Sequence, residues 1–193
     1  MTTFTDVQLD ALRELANIGS GNAGTALGTM LGKTVDISVP TAAVLPLNEA
    51  VEMVGDPESV RHGVMVPIIG DLDAIVLLLF PEEDAAKICG IYGIDPDTPD
   101  GASMLGEVGN ILGTNYINVL AQMAGMEMEP APPQVVVDML GAIVTTVLMS
   151  RGDIDHALVL DSKLEVEEEQ STLSFLLLPA PGGVEDLLGR LGL

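Results

Sequence analysis

The chain contains no tryptophan, three phenylalanines and two tyrosines, so its interior has to be built from leucine, valine, isoleucine, alanine and methionine. The same scarcity removes the aromatic platforms on which the bases of single-stranded nucleic acids stack. Cations are few as well: seven lysines and arginines stand against 29 acids, a formal charge of −22. A surface of that sign repels a phosphate backbone, and nucleic acid is excluded as a partner. A single cysteine, Cys89, rules out an internal disulfide framework and points to the cytoplasm. Residues 1–6 lack a basic stretch followed by an apolar one, so no secretory signal is expected. The longest apolar runs, 74–80 and 140–149, are too short to span a bilayer. Neither His62 nor His156 has a cysteine or second histidine beside it, and both are expected at the surface or in turns. A phosphate-binding glycine loop, a serine-nucleophile motif and a metal-ligand cluster are all missing.

What is present is 193 residues, 48% hydrophobic and 19% charged, enough for one domain with an aliphatic core. The acids are spread along the chain except for Glu165, Glu167, Glu168 and Glu169, which read as a solvated turn between strands. Their excess serves solubility or a salt-rich cytoplasm, or it attracts a basic partner face.

Thr5 or Asp6 caps a helix beginning near Val7. Leu12, Ala16, Gly19, Ala23, Ala26 and Met30 fall on one side of it, and Asp10, Glu14, Asn17, Gly21, Gly24 and Gly28 on the other. Glycine is about 1 kcal/mol worse than alanine in a helix interior. The glycine stripe therefore serves either a close contact within the fold or close approach by another molecule. Gly32 ends the helix. A strand over 35–40, continuing through 42–45, leads to a short helix over 47–54. Strands over 63–69 and 72–80 follow, joined by a turn at Gly70 and Asp71. Pro81 opens a helix that runs to Gly90 or Tyr92, and 94–101 is a linker.

The second half retraces this order. A long helix over 103–125 turns Leu105, Gly109, Leu112, Tyr116, Val119 and Met123 inward and Ser103, Glu107, Asn110 and Thr114 outward. A strand over 135–137, a helix over 139–148, strands over 157–166 and 172–178 and a helix over 184–191 complete it. Ile117 and Ala121 stand where the first copy has Gly24 and Gly28. The halves are offset by 93 residues in the long helices and 98 at the end, and the extra residues are expected in the acidic turn. The expected fold class is α/β of the α+β type, a single domain over 1–193 made by internal duplication. Its two repeats, about 6–94 and 99–193, are related by a pseudo-two-fold axis and pool their strands into one sheet packed by the long helices.

Those helices carry the repeated signal. Asp10, Glu14, Asn17 and Pro40 recur as Ser103, Glu107, Asn110 and Pro133, each Asn standing 23 residues before its Pro. Residues three apart share a helix face, so each Glu and its Asn can touch one object together. A glutamate accepts from a cation; a carboxamide both donates and accepts and does not titrate. The pair is poorly suited to general acid–base chemistry. It suits docking beside a lysine and holding a water in line with an electrophile. As a divalent-metal site Asp10, Glu14 and Asn17 are a thin ligand set, and no metal is expected.

The run from Glu14 to Asn22, the strand ending at Pro40 and the doubled spacing resemble the CheC/CheX/FliY family of chemotaxis phosphatases over essentially the whole chain. Two motifs are similar to the CheC branch; the CheX branch carries one, and the end of the chain at Leu193 leaves no room for the C-terminal switch domain of the FliY branch. The resemblance implies hydrolysis of the phosphoaspartate of a CheY-type response regulator. Glu14 and Glu107 would contact a lysine of the regulator, Asn17 and Asn110 would orient the attacking water, and Asp10, Pro40, Ser103 and Pro133 would shape the motif. It implies no cofactor of the chain's own, the Mg²⁺ belonging to the regulator, and a chain that is a monomer by itself. It also offers the receptor deamidase CheD as a second partner, through 138–149, although Leu140, Ile143, Val144 and Val147 there equally suit a core. The alternatives are a non-catalytic module binding phosphorylated CheY or CheD, and a structural domain of a larger switch assembly. Because Ile117 and Ala121 replace glycines, the two sites are expected to be unequal.

Overall fold

The computed structural model describes residues 5–151, 154, 156–167 and 169–193. Most of the segment read for a secretory signal, and Glu168 of the acidic turn, lie outside the described residues. Helix α1 (Asp6–Leu31) starts at Thr5, whose hydroxyl accepts the Gln8 N–H at 3.3 Å while the Gln8 side chain accepts the Thr5 N–H at 2.8 Å. This reciprocal cap satisfies two otherwise orphaned donors. Helix α4 (Pro99–Ala124) begins 93 residues later in the same way, with the Gly101 N–H donating to the Thr98 hydroxyl at 3.2 Å. Pro99 falls in the first turn, where a missing N–H costs nothing. The helix therefore starts inside the stretch expected to be linker, four residues before Ser103. Gly32 and Gly125 close the two helices, both at φ 63°, the left-handed region that a side chain would penalise.

The remaining elements of the first half are β1 (Val35–Pro46), α2 (Leu47–Val54), β2 (Val60–Gly70), β3 (Ala74–Pro81) and α3 (Glu82–Gly90). The second half continues with β4 (Met128–Pro130), β5 (Gln134–Met139), α5 (Leu140–Arg151), β6 (His156–Val166), β7 (Glu169–Pro179) and α6 (Gly183–Arg190). All pairings are antiparallel, in the order β1-β6-β7-β3-β2-β4, with β5 also on β2. The two halves thus meet at β3 and β7 in one sheet, and β4 with β5 fills the lane that β1 fills at the other edge. One sheet face packs against α1, α4, α3 and α6 and the other against α2 and α5. Leu140, Ile143, Val144 and Val147 are among the buried residues of that second layer.

Strand register locates the extra residues. Val44 faces Leu158 as Val137 faces His62, so the offset is 93 between Val44 and Val137 but 96 between His62 and Leu158. Most of the insertion therefore precedes β6, where α5 has 12 residues to the 8 of α2, and not in the acidic turn. The turn at Gly70 is longer than expected: Asp71 donates its backbone N–H to the Glu127 carbonyl at 2.7 Å, tying the hairpin to the end of α4. His62 is not a surface residue; it lies in β2 at 1% exposure, with Nε2 3.6 Å from the Asp97 carboxylate in the segment that leads into α4.

The glycine stripe of α1 is largely an internal contact. A Cβ on Gly24 would lie 3.1 Å from the Val35 carbonyl and one on Gly28 3.0 Å from the Lys33 carbonyl, so these glycines let β1 turn back tightly on the helix. Only Gly21 faces open space. In α4 the glycines face the sheet instead: a Cβ on Gly109 would lie 2.6 Å from a methyl of Val64.

Asp84 joins α3 to the sheet. Its carboxylate accepts the Thr172 N–H at 3.0 Å, the Thr172 hydroxyl at 2.7 Å and the Lys87 ammonium at 2.7 Å. Burial pushes this carboxyl up, but the hydrogen bonds from Lys87 and Thr172 together outweigh that and hold it below its ordinary value of 3.8. The stability it contributes is complete above the ordinary carboxylate range and is lost as pH falls through the lowered native value. Asp84→Ala, which leaves the Thr172 N–H unpaired, is expected to destabilise the fold by about 1–3 kcal/mol at neutral pH. In urea titrations the gap between variant and wild type should narrow in strong acid.

Candidate active site

Glu14 and Glu107 are exposed, and Asn17 and Asn110, one turn on, are half-buried against the sheet. Neither glutamate makes an ion pair among the described residues, so each carboxylate faces solvent with its acceptors open. Asp10 is exposed and pairs with Arg13 at 3.0 Å, while Ser103 is exposed on α4.

The long spacing from Asn17 to Pro40 has a physical cause. β1 pairs with β6 in regular register up to Ser38 opposite Lys163 and again from Thr41 opposite Asp161. Val39 and Pro40 therefore stand against Ser162 alone, a bulge of two residues against one. Proline has no N–H to give a ladder and is tolerated at such a place. The bulge turns the Val39 N–H out of the ladder, and the Asn17 Oδ1 accepts it at 3.0 Å. The Asn17 Nδ2 donates to the Arg13 carbonyl of its own helix at 3.0 Å. Helix and edge strand are thereby joined at the motif asparagine.

The second half repeats the bulge. The Ala131 N–H donates to the Pro67 carbonyl at 2.8 Å, and pairing resumes with Gln134 opposite Met65. Pro132 and Pro133 thus stand against Val66 alone, matching Val39 and Pro40 at the 93-residue offset. The lane is interrupted here between β4 and β5, where Pro132 and Pro133 both lack an N–H and the first copy lacks only that of Pro40. Asn110 consequently has no N–H to accept, and its carboxamide makes no hydrogen bond among the described residues. Sequence reasoning missed the residue before each motif proline; the signal was the Val-Pro pair in one copy and the Pro-Pro pair in the other.

The two bulges occupy opposite edges of the sheet. Five strand spacings separate their lanes, about 24 Å at 4.8 Å per step. Two separate candidate sites result, each pairing an exposed carboxylate with a half-buried carboxamide one turn away. Among the described residues no group of three or more His, Cys, Asp or Glu is placed to hold a metal ion, and no helix is long and apolar enough to cross a membrane.

The model of the CheC-like family matches residues 7–43 and 101–137. Each span runs from the first turns of a motif helix to just past its bulge proline. The CheY-P phosphatase CheC of Bacillus subtilis is 30% identical over 196 residues, covering 96% of this chain and 94% of that protein. Among solved structures, FliY of Thermotoga maritima superimposes with a TM-score of 0.80 at 19% identity, over 99% of this chain and 98% of that one. A chain of the FliM–SpeE complex of H. pylori gives 0.75 at 11% identity, over 98% and 97%. These two share the fold.

Proposed function

Because the chain belongs to the CheC-like family, we propose that it hydrolyses the phosphoaspartate of a CheY-type response regulator, at both motif helices. The observation that carries the reading is the doubled pairing of an open glutamate with an asparagine one turn away, on a chain similar to a CheY-P phosphatase over nearly its whole length.

In this reading Glu14 or Glu107 receives a lysine of the regulator and sets the register of docking. Asn17 or Asn110 accepts from one water and aligns it with the phosphorus. The water oxygen bonds to phosphorus as the bond from phosphorus to the aspartyl oxygen breaks. Inorganic phosphate and a free aspartate carboxylate leave, and the water's proton passes to phosphate or solvent. The regulator brings the electrophile, the lysine and the Mg²⁺, so the phosphatase contributes position and electrostatics. The strongly acidic surface then faces a partner whose pocket already holds a metal ion and a lysine. An acyl phosphate hydrolyses unaided, and a barrier lowered by about 3 kcal/mol gives a rate gain of about 100-fold. The cytoplasm, where response regulators work, is the proposed location. CheD is proposed as a second partner on the opposite sheet face, at the groove of Leu47, Val51, Pro57, Val144 and Leu148.

The test follows decay of phosphorylated CheY with and without the protein. Acceleration is expected; retained binding without acceleration would turn the reading to a non-catalytic module. The paired change Glu14→Gln and Glu107→Gln should raise KM about tenfold and leave kcat near wild type, because the lost contact serves ground and transition states alike. A fall in kcat with unchanged KM would remove the docking role.

A further inference from the structure

The two copies of the bulge differ at one atom. Val39 presents an N–H to Asn17 at 3.0 Å, whereas Pro132, at the same place behind Asn110, has none. Resting on the phosphatase reading, we infer that the residue before each motif proline sets the speed of its site, Val39 restraining Asn17 and Pro132 leaving Asn110 free, so that the site on α4 carries most of the turnover.

The carboxamide of Asn17 is committed at both ends, its oxygen to Val39 and one of its N–H groups to the Arg13 carbonyl. To turn that oxygen toward a water on the partner, it must leave the N–H of a residue only 2% exposed without an acceptor. A buried donor left unpaired carries the full penalty of its desolvation. Asn110, which bonds to no other described residue, breaks no such bond when it turns. Val39 and Pro132 touch neither water nor phosphoryl group; they act through the asparagines and are positioning residues. The difference also does not depend on Ile117 or Ala121, which lie two and three turns further along α4. Ile117 is itself fully buried, so it marks how the helix packs and not how the site reacts.

The prediction concerns kcat, because the latch affects orientation of the water and not contact with the regulator. Residual turnover in Asn110→Ala is expected to be about tenfold below that in Asn17→Ala, a difference of about 1.4 kcal/mol. Pro132→Ala puts an N–H behind Asn110 at an exposed position. Water can satisfy that exposed N–H when Asn110 turns away, so in an Asn17→Ala background kcat should fall by only about twofold, with KM unchanged and thermal melting showing the fold intact. Val39→Pro copies the second site into the first and should raise kcat in an Asn110→Ala background. If either bulge variant fails to fold, the comparison of the two single asparagine variants decides alone.

A readout without the regulator tests the latch itself. Amide hydrogen exchange at Val39 in the free full-length protein should quicken about tenfold in Asn17→Ala. An unchanged Val39 amide, or losses that are equal or greater at Asn17, would overturn the inference. If wild type leaves the decay of phosphorylated CheY unaccelerated, the phosphatase reading fails instead. That outcome is distinct from acceleration with the two sites ranked the other way.

Discussion

Replacing Asn17 and Asn110 together by alanine is expected to return phosphorylated CheY to its unassisted decay, about 100-fold below the wild-type protein at saturation. The expectation rests on what remains after the change. Glu14 and Glu107 keep their exposed positions, so docking and KM should persist while kcat is lost. A preorganised polar group aimed at the reacting centre is worth about two orders of magnitude when removed. The loss should also be greater than either single replacement gives, since the proposed sites lie at two separate edges of the sheet. Asn→Asp at both positions should fail as well, because a carboxylate there repels the phosphoryl oxygens. Alanine at both positions with wild-type hydrolysis would show that the asparagines are structural ties between helix and strand and nothing more.

The second large effect concerns the fold beneath the α4 site. Gly109 lies between Glu107 and Asn110, and a Cβ there would stand 2.6 and 2.8 Å from the Cγ1 and Cβ of Val64. Val64 is fully buried in a strand paired on both sides, so it has little room to yield. Gly109→Val should therefore cost about 3 kcal/mol by overpacking. For a chain of this size that is a drop of roughly 10 °C in Tm. It should also depress turnover at Asn110, which rides on the displaced helix turn. Gly21→Ala is the contrast. Its Cβ would meet nothing within 4 Å, and the helix should gain up to about 1 kcal/mol. Equal melting temperatures for the two variants would contradict the packing described for α4.

Much of this could be read from the residues. Period-3.6 patterning and terminal glycines locate the two long helices, with a cap at Thr5 or Asp6 for the first, and the strands follow from their β-branched runs. The duplication and the four residues Glu14, Asn17, Glu107 and Asn110 are legible because a spacing of 23 residues recurs 93 residues later. Other features were not legible because their causes are nonlocal. The start of α4 at Pro99 was hidden by linker-like composition. The burial of His62 depends on Asp97 and the strands beside it. The purpose of Gly24 and Gly28 depends on where β1 returns.

The sequence by itself determined the duplicated unit, the aliphatic core and the repeated pairing of Glu with Asn, since each follows from local composition and period. The relation of those pairs to the sheet was decided only by tertiary structure. A bulge that opposes two residues to one releases the Val39 N–H toward Asn17, and the matching bulge offers Asn110 a proline. Sequence contains Val39 and Pro132, but only the register of β1 on β6 and of β5 on β2 shows that they stand in equivalent bulges. Backbone donors acquire meaning through the partners that folding gives or denies them.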